Sequence, residues 1–448
     1  MAESTVASSA PSTVNLAQTD VIAKTDPEKL SIHSVEYELP EGGREAWMTM
    51  AGAWMVQFCT FGYINAFGVY QDYYTREFLI NKTAADISWV GSFQLAIQYA
   101  LGVFVGRAFD AGYFHHMMFI GSTFYVLCIF LLSLTQVGQF YQVFLAQAVG
   151  MGVFPALMFL PSFTIVSHHF KRRRALAMGI VTSGAACGGV IFPIMLNQLG
   201  QHTKFTTGIR VSGGIIGAML LFANLTMKTK PAPKQPKTAE SVDQLSTDWK
   251  GIFTDLGYLA SLAGAFFTSL GLFYPFFYLQ LYAVTNGVDE QLAFYLLTLL
   301  NGGSIFGRLV NNSLAPRIGS FNLVFGSLYA CAVLIFVMLK IKTFAGLAVF
   351  AVLYGFTSGA YASLMPANFV GFSNHPGEYA LRLAIAFSVV APAILTGNPI
   401  SGALLGPTGS FTWERPIIYN GIMVAVGATF VLISRILYIK RKGKGQWV

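Results

Sequence analysis

Gly102-Val-Phe-Val-Gly106-Arg107-Ala-Phe-Asp110 closes one apolar stretch of the chain, and Gly303-Ser-Ile-Phe-Gly307-Arg308-Leu-Val-Asn311 closes another, 201 positions later. Both read G-x3-G-R-x2-[D/N]. Glycines four apart lie on one face of a helix and let membrane helices approach closely. The Arg and the Asp or Asn then fall at a helix end, where they can bond neighbouring termini. A short pattern like this arises once by chance. Its recurrence at matching places in two halves of a chain reads as an internal repeat.

Working outward, the surroundings of both segments are apolar. Of the 448 residues, 54% are hydrophobic and only 11% are charged, with mean hydropathy +0.57. Soluble domains carry about 25% charged residues, so a soluble fold is excluded, and disorder is excluded for most of the chain. About 20 apolar residues are needed to cross the hydrocarbon core as a helix. Twelve stretches meet this: about 47–70, 87–109, 115–135, 140–166, 175–197 and 206–226, then 251–283, 290–311, 318–339, 343–372, 380–405 and 416–439. The eighth and eleventh are rich in Gly, Asn, Pro and Ser. They are expected to be interrupted, as cavity-lining helices of carriers are.

The chain is therefore expected to be an all-α membrane protein organised as a disordered tail (1–40), a six-helix half (41–227), a linker (228–250), a second six-helix half (251–440) and a short tail (441–448). The linker contains Lys228-Thr-Lys-Pro-Ala-Pro-Lys-Gln-Pro-Lys237 and has almost no apolar content. Basic residues favour the cytoplasmic side. With both termini inside, only Arg76, Lys82, Lys204, Arg210, Lys340, Lys342 and Arg415 of the 28 Lys and Arg fall outside. This bias supports a multi-pass protein with both termini cytoplasmic, expected in the plasma membrane and as a monomer. The net charge of +8 comes from clusters beside the spans, so nucleic acid is not an expected partner. The partners expected are lipid and a small-molecule solute. Cys59, Cys128, Cys187 and Cys331 lie in apolar stretches without CxxC spacing, which argues against disulfides and metal sites. His115-His116 and His168-His169 sit at span ends without further ligands nearby in sequence. Neither a metal nor a cofactor is expected. No phosphate-binding loop, GxSxG or HExxH motif occurs, so neither ATP-driven pumping nor an enzyme is supported.

Two parallel six-helix halves joined by a cytoplasmic linker are the architecture of major facilitator transporters. Within that superfamily the chain resembles the monocarboxylate-porter family, in its fungal branch. Pro40-Glu-Gly-Gly-Arg-Glu-Ala-Trp47 resembles the family's entry motif before the first span. Phe170-Lys-Arg-Arg-Arg-Ala-Leu-Ala-Met-Gly179, continuing through Ser183-Gly184 and Gly188 to Pro193, resembles its motif at the start of the fifth. The G-x3-G-R-x2-D element is general to the superfamily. The similarity runs over about residues 40–440. Animal lactate carriers of the family use a Lys in the first span and an Asp four residues before an Arg in the eighth. The aligned positions here are Val69 and Ser304, while Arg308 matches the Arg. The resemblance implies a solute transporter working by alternating access, without support for proton-lactate symport.

Ionisable groups are costly in lipid and usually functional. No Asp, Glu or His falls at a span centre; Asp110, or Glu378 with Arg382, would act only at the cytoplasmic margin. Arg308 has two readings. It is an anchor for an anionic substrate, or a gating contact equivalent to Arg107. Gly102, Gly106, Arg107, Asp110, Gly303 and Gly307 read as a gating or structural motif. Asn65, Asn301 and Asn368 are substrate contacts or helix-helix bonds. Tyr274, Tyr278 and Tyr361, with Phe273, Phe276 and Phe277, suit a flat or partly apolar solute; packing within the bundle is the other reading. Asn81-Lys-Thr83 is a glycosylation acceptor in the first outside loop. The function expected is secondary transport of a monocarboxylate-like acid or a secondary metabolite, with efflux and uptake both open. A carrier of a neutral metabolite or vitamin, and a membrane sensor that kept the fold without transporting, are the alternatives.

Overall fold

Lipid offers no hydrogen bonds, so each apolar stretch must satisfy its backbone internally, and here every one does so as helix. The structure, a computed structural model, describes residues 42–166, 169–170, 174–229, 249–373, 378–406 and 411–442. The tail 1–40, most of the linker, the basic run 171–173 and residues 443–448 lie outside the described residues. Among the described residues, eleven helices are long and apolar enough to cross a membrane, from Asp86–Phe109 to Glu414–Arg441. The first span is the exception because it is broken: Arg44–Cys59, Phe61–Ile64 and Phe67–Tyr73 follow one another around Thr60 and Asn65-Ala66.

The interruptions are not where Gly and Pro content places them. The eighth span is one helix, Glu290–Ile318, and the eleventh is one helix, Tyr379–Leu405, which carries Pro392 and Pro399 in its interior. Breaks occur instead in the first span, at Leu101 in the second, in a π-helical stretch (Phe144–Gly150) in the fourth, and at Leu272-Phe273 in the seventh. A helix in a bundle tolerates an internal Pro when neighbours satisfy the freed carbonyl, so composition alone misplaces these breaks.

Caps set the register of the two halves. Thr83 caps the second span, its hydroxyl accepting from the Asp86 amide while Asp86 reaches back to the Thr83 amide; Asp289 caps the eighth by accepting from Gln291 and Leu292. Past the far ends of the same two spans lie Gly112 and Gly319, at φ 87 and φ 94, in the left-handed region that glycine adopts without strain. These two are 207 positions apart, and the buried Phe114 and Phe321 follow them at the same spacing. The N-caps Thr83 and Asp289 thus repeat at 206 and the turn glycines at 207, whereas the two G-x3-G-R segments lie 201 apart. Arg107 is exposed in the last turn of its span, while Arg308 is 7% exposed and more than two turns inside its own. They are not equivalents.

The glycines also do different work. A Cβ at Gly303 or Gly307 would strike the Val352 or Phe356 carbonyl of the tenth span, and one at Gly355 or Gly359 would strike the Leu300 or Ser304 carbonyl of the eighth. Four glycines thus seat the eighth and tenth spans backbone to backbone. Gly102 instead faces Ala384 and Phe387 of the eleventh span, across the seam between the halves. Gly106 is buried, and the Asp110 side chain is outside the description. The halves meet chiefly through the fifth and eighth spans and through the second and eleventh.

Candidate functional site

Arg308 is the polar centre of the seam. Its Nε donates to Ser304 Oγ at 3.2 Å, one turn back, and an Nη donates to the Thr182 carbonyl of the fifth span, across the halves. Asn312, one turn on, donates to the Arg308 carbonyl and to Ser363 of the tenth span, each at 2.7 Å, and packs against Gly179. No carboxylate among the described residues pairs with Arg308.

On the other side of the seam lies a group of rings. Phe387 of the eleventh span sits 5.0 Å from Tyr99 and 5.9 Å from Phe159, centroid to centroid; Tyr99 and Phe159 are 5.5 Å apart, and Phe61 lies 5.8 Å from Phe159. Ser388 Oγ donates to the Ala100 carbonyl at 3.3 Å directly beside them. Both cross-half contacts lie two to three turns from the linker-side ends of their helices. Nearer the opposite side, Phe67 and Phe277 approach at 6.1 Å across the first and seventh spans. Between the two levels a gap of about 20 Å³ is lined by Ile64, Asn65, Phe67, Leu95, Phe273 and Phe276, among others; it has room for about one water. A larger cleft, about 300 Å³, is away from the seam, between Lys82, Trp89 and Phe140.

The sequence candidates divide accordingly. Arg308 and Asn301 lie on the seam; Asn301 bonds the Leu297 carbonyl at 3.0 Å and packs on Gly189 of the fifth span. Asn65 lines the gap and reaches the Ala185 carbonyl at 3.4 Å. Tyr361 is buried within the tenth span. Tyr274 and Tyr278 are turned elsewhere: they stack at 5.3 Å, and Tyr278 bonds the Asn398 carbonyl of the eleventh span at 3.2 Å. It is Phe273, Phe276 and Phe277 beside them that face the gap. Asn368 is buried, two turns from Tyr361 on the same helix face, and its amide has no hydrogen-bond partner among the described residues. Tyr99, Phe159 and Phe387 were not singled out by sequence. No local spacing marks a ring that meets its partners from another helix.

Glu378 and Arg382 do pair, at 3.1 Å, but at the linker-side end and not at the seam. Arg382 is 1% exposed, lies over the Tyr258 ring at 4.9 Å, and also reaches Asp255 at 3.4 Å; Asp255 in turn holds Arg441 of the last span. This cluster ties the starts of the seventh and eleventh spans to the end of the twelfth.

Two six-helix halves, repeated at one register and meeting around a buried cation and a ring cluster, are the arrangement of an alternating-access carrier. Residues 53–373 match the family model of the Major Facilitator Superfamily. The chain belongs to the major facilitator superfamily. This facilitator is a secondary transporter with an all-helical, multi-pass membrane fold, and not an enzyme. It is similar to the aspyridones efflux protein of Emericella nidulans, 36% identical over 408 residues that cover 91% of this chain and 81% of the relative. It is also similar to the agnestins efflux protein of Paecilomyces divaricatus, 32% identical over 398 residues (87% of each chain). The fujikurins efflux protein of Gibberella fujikuroi is 33% identical over 411 residues, covering 90% of this facilitator and 85% of the relative.

Proposed function

We propose that this transporter exports a small organic acid, a secondary metabolite, from the cytoplasm across the plasma membrane, with Arg308 holding the acidic group. The observation that carries this reading is the buried guanidinium at the seam, which has no carboxylate partner among the described residues. An uncompensated charge within a membrane bundle is costly and is kept for function by default. Relatives named as efflux proteins support the direction. The excess of Lys and Arg on the linker side supports that side as cytoplasmic. The motifs at Pro40–Trp47 and Phe170–Gly179 support the monocarboxylate-porter branch. Asn301, Tyr361 and Asn65 are the further cargo contacts, and the carrier works as a monomer.

The test is counterflow in liposomes holding purified protein, with labelled monocarboxylates and neutral metabolites, with and without a pH gradient. Exchange of acids that Arg308→Ala slows sharply at low acid concentration is the expected result. Carriage of neutral compounds alone would overturn the acid reading, and no counterflow of any solute would favour a sensor.

A further inference from the structure

We infer that the closed centre fills its own cargo site, and that the cargo carries an aromatic ring as well as an acidic oxygen. This rests on the reading of Arg308 as the anchor. Two groups from opposite halves meet at one level of the seam. The Thr182 carbonyl of the first half stands on the guanidinium of the second. The Phe387 ring of the second half stands against Tyr99 and Phe159 of the first. Each half thus offers a receptor, and the other half supplies a stand-in: an oxygen for the cation and a ring for the rings.

Separation of the halves at the linker side would withdraw both stand-ins together. It would leave a guanidinium with a free donor and an aromatic slot formed by Tyr99, Phe159 and Phe61. Tyr99 of that slot and Arg308 both lie about three turns from the linker-side ends of their spans, so the slot and the guanidinium open at the same level of the seam. A planar aromatic acid matches the pair, because its ring replaces Phe387 and its oxygen replaces the carbonyl. In this arrangement Phe387 competes with the cargo and does not contact it.

The sign of one substitution separates these roles. Purified full-length protein in lipid nanodiscs is titrated with 2-naphthoate, its saturated decahydro counterpart and neutral 2-naphthylmethanol. Phe387→Ala should bind 2-naphthoate about tenfold tighter than the parent, since no side chain has to leave the slot. 2-Naphthylmethanol should gain similarly, and the decahydro acid should gain little. If Phe387→Ala does not fold, Phe387→Leu should shift binding in the same direction, because Leu fills space without offering a ring. Weaker or unchanged binding of both naphthyl probes in a folded variant overturns the slot, as does an equal gain for the saturated acid. If the alcohol gains but no acid binds better than it in any variant, the slot stands and the Arg308 anchor fails.

Discussion

Arg308 of the eighth span donates to the main-chain carbonyl of Thr182 in the fifth, so a side chain of one half is held by the backbone of the other. A buried Arg paired to carboxylates is hard to remove, because its loss strands their charge. Arg308 has no such partner among the described residues, so Arg308→Ala should fold. Hydrogen bonds to charged groups contribute about 1.5–3 kcal/mol, which corresponds to roughly a 10- to 100-fold loss of affinity for an acidic cargo. Counterflow rates at low acid concentration, read beside detergent-extracted yield, check this. Loss of yield with unchanged transport per molecule would return Arg308 to a packing role.

Gly307 sits so close to the Phe356 carbonyl that any side chain must push the eighth and tenth spans apart. Gly307→Val should lower the melting temperature and broaden the gel-filtration peak, with overpacking of about 1–3 kcal/mol. Gly302, in the same helix, has open space around its Cβ position. Gly302→Ala should leave both readouts unchanged and serves as the control for the helix itself.

The Arg382 cluster behaves oppositely to Arg308. Arg382→Met leaves Asp255 and Glu378 without their shared cation, a loss of about 3–5 kcal/mol for a buried pair. Adding Asp255→Asn and Glu378→Gln to it should restore part of the melting temperature. A single variant as stable as the parent would show that Arg441 alone holds the cluster.

Asn81 is exposed in the turn before Thr83, which caps the second span. Produced in a eukaryotic secretory membrane, the protein should lose apparent mass on glycosidase treatment, and Asn81→Gln should abolish the change. The absence of any change would count against an outward-facing first loop, and with it against a cytoplasmic linker.

Much of this molecule is legible from its residues. Span length, apolarity and the Lys/Pro-rich linker give the two six-helix halves, because the bilayer fixes how long an apolar helix must be. Arg308 stands out as a cation inside an apolar helix, although the residues alone leave a substrate anchor and a gating contact both open. The internal repeat is less legible: G-x3-G-R recurs at 201, while the turn glycines Gly112 and Gly319 lie 207 apart. A short motif records local helix packing, whereas the positive-φ turn records where each helix must stop. The break at Asn65-Ala66 carries no Gly or Pro, and Tyr278 bonds the Asn398 carbonyl of the eleventh span, far away in sequence. Both arise from tertiary packing, which a linear pattern does not encode.

The linker leaves each half from a fastened end. Lys228 is held by the Thr49 hydroxyl, the His169 ring and Glu45 of the first half, while Asp255 is held by Arg382 and Arg441 of the second. These anchors belong to each end's own half. The expectation is that the covalent connection acts as a leash and not an axle. Such a carrier should survive being severed there, and the two pieces, made as separate chains in one cell, should find each other through the seam and work as the uncut protein does.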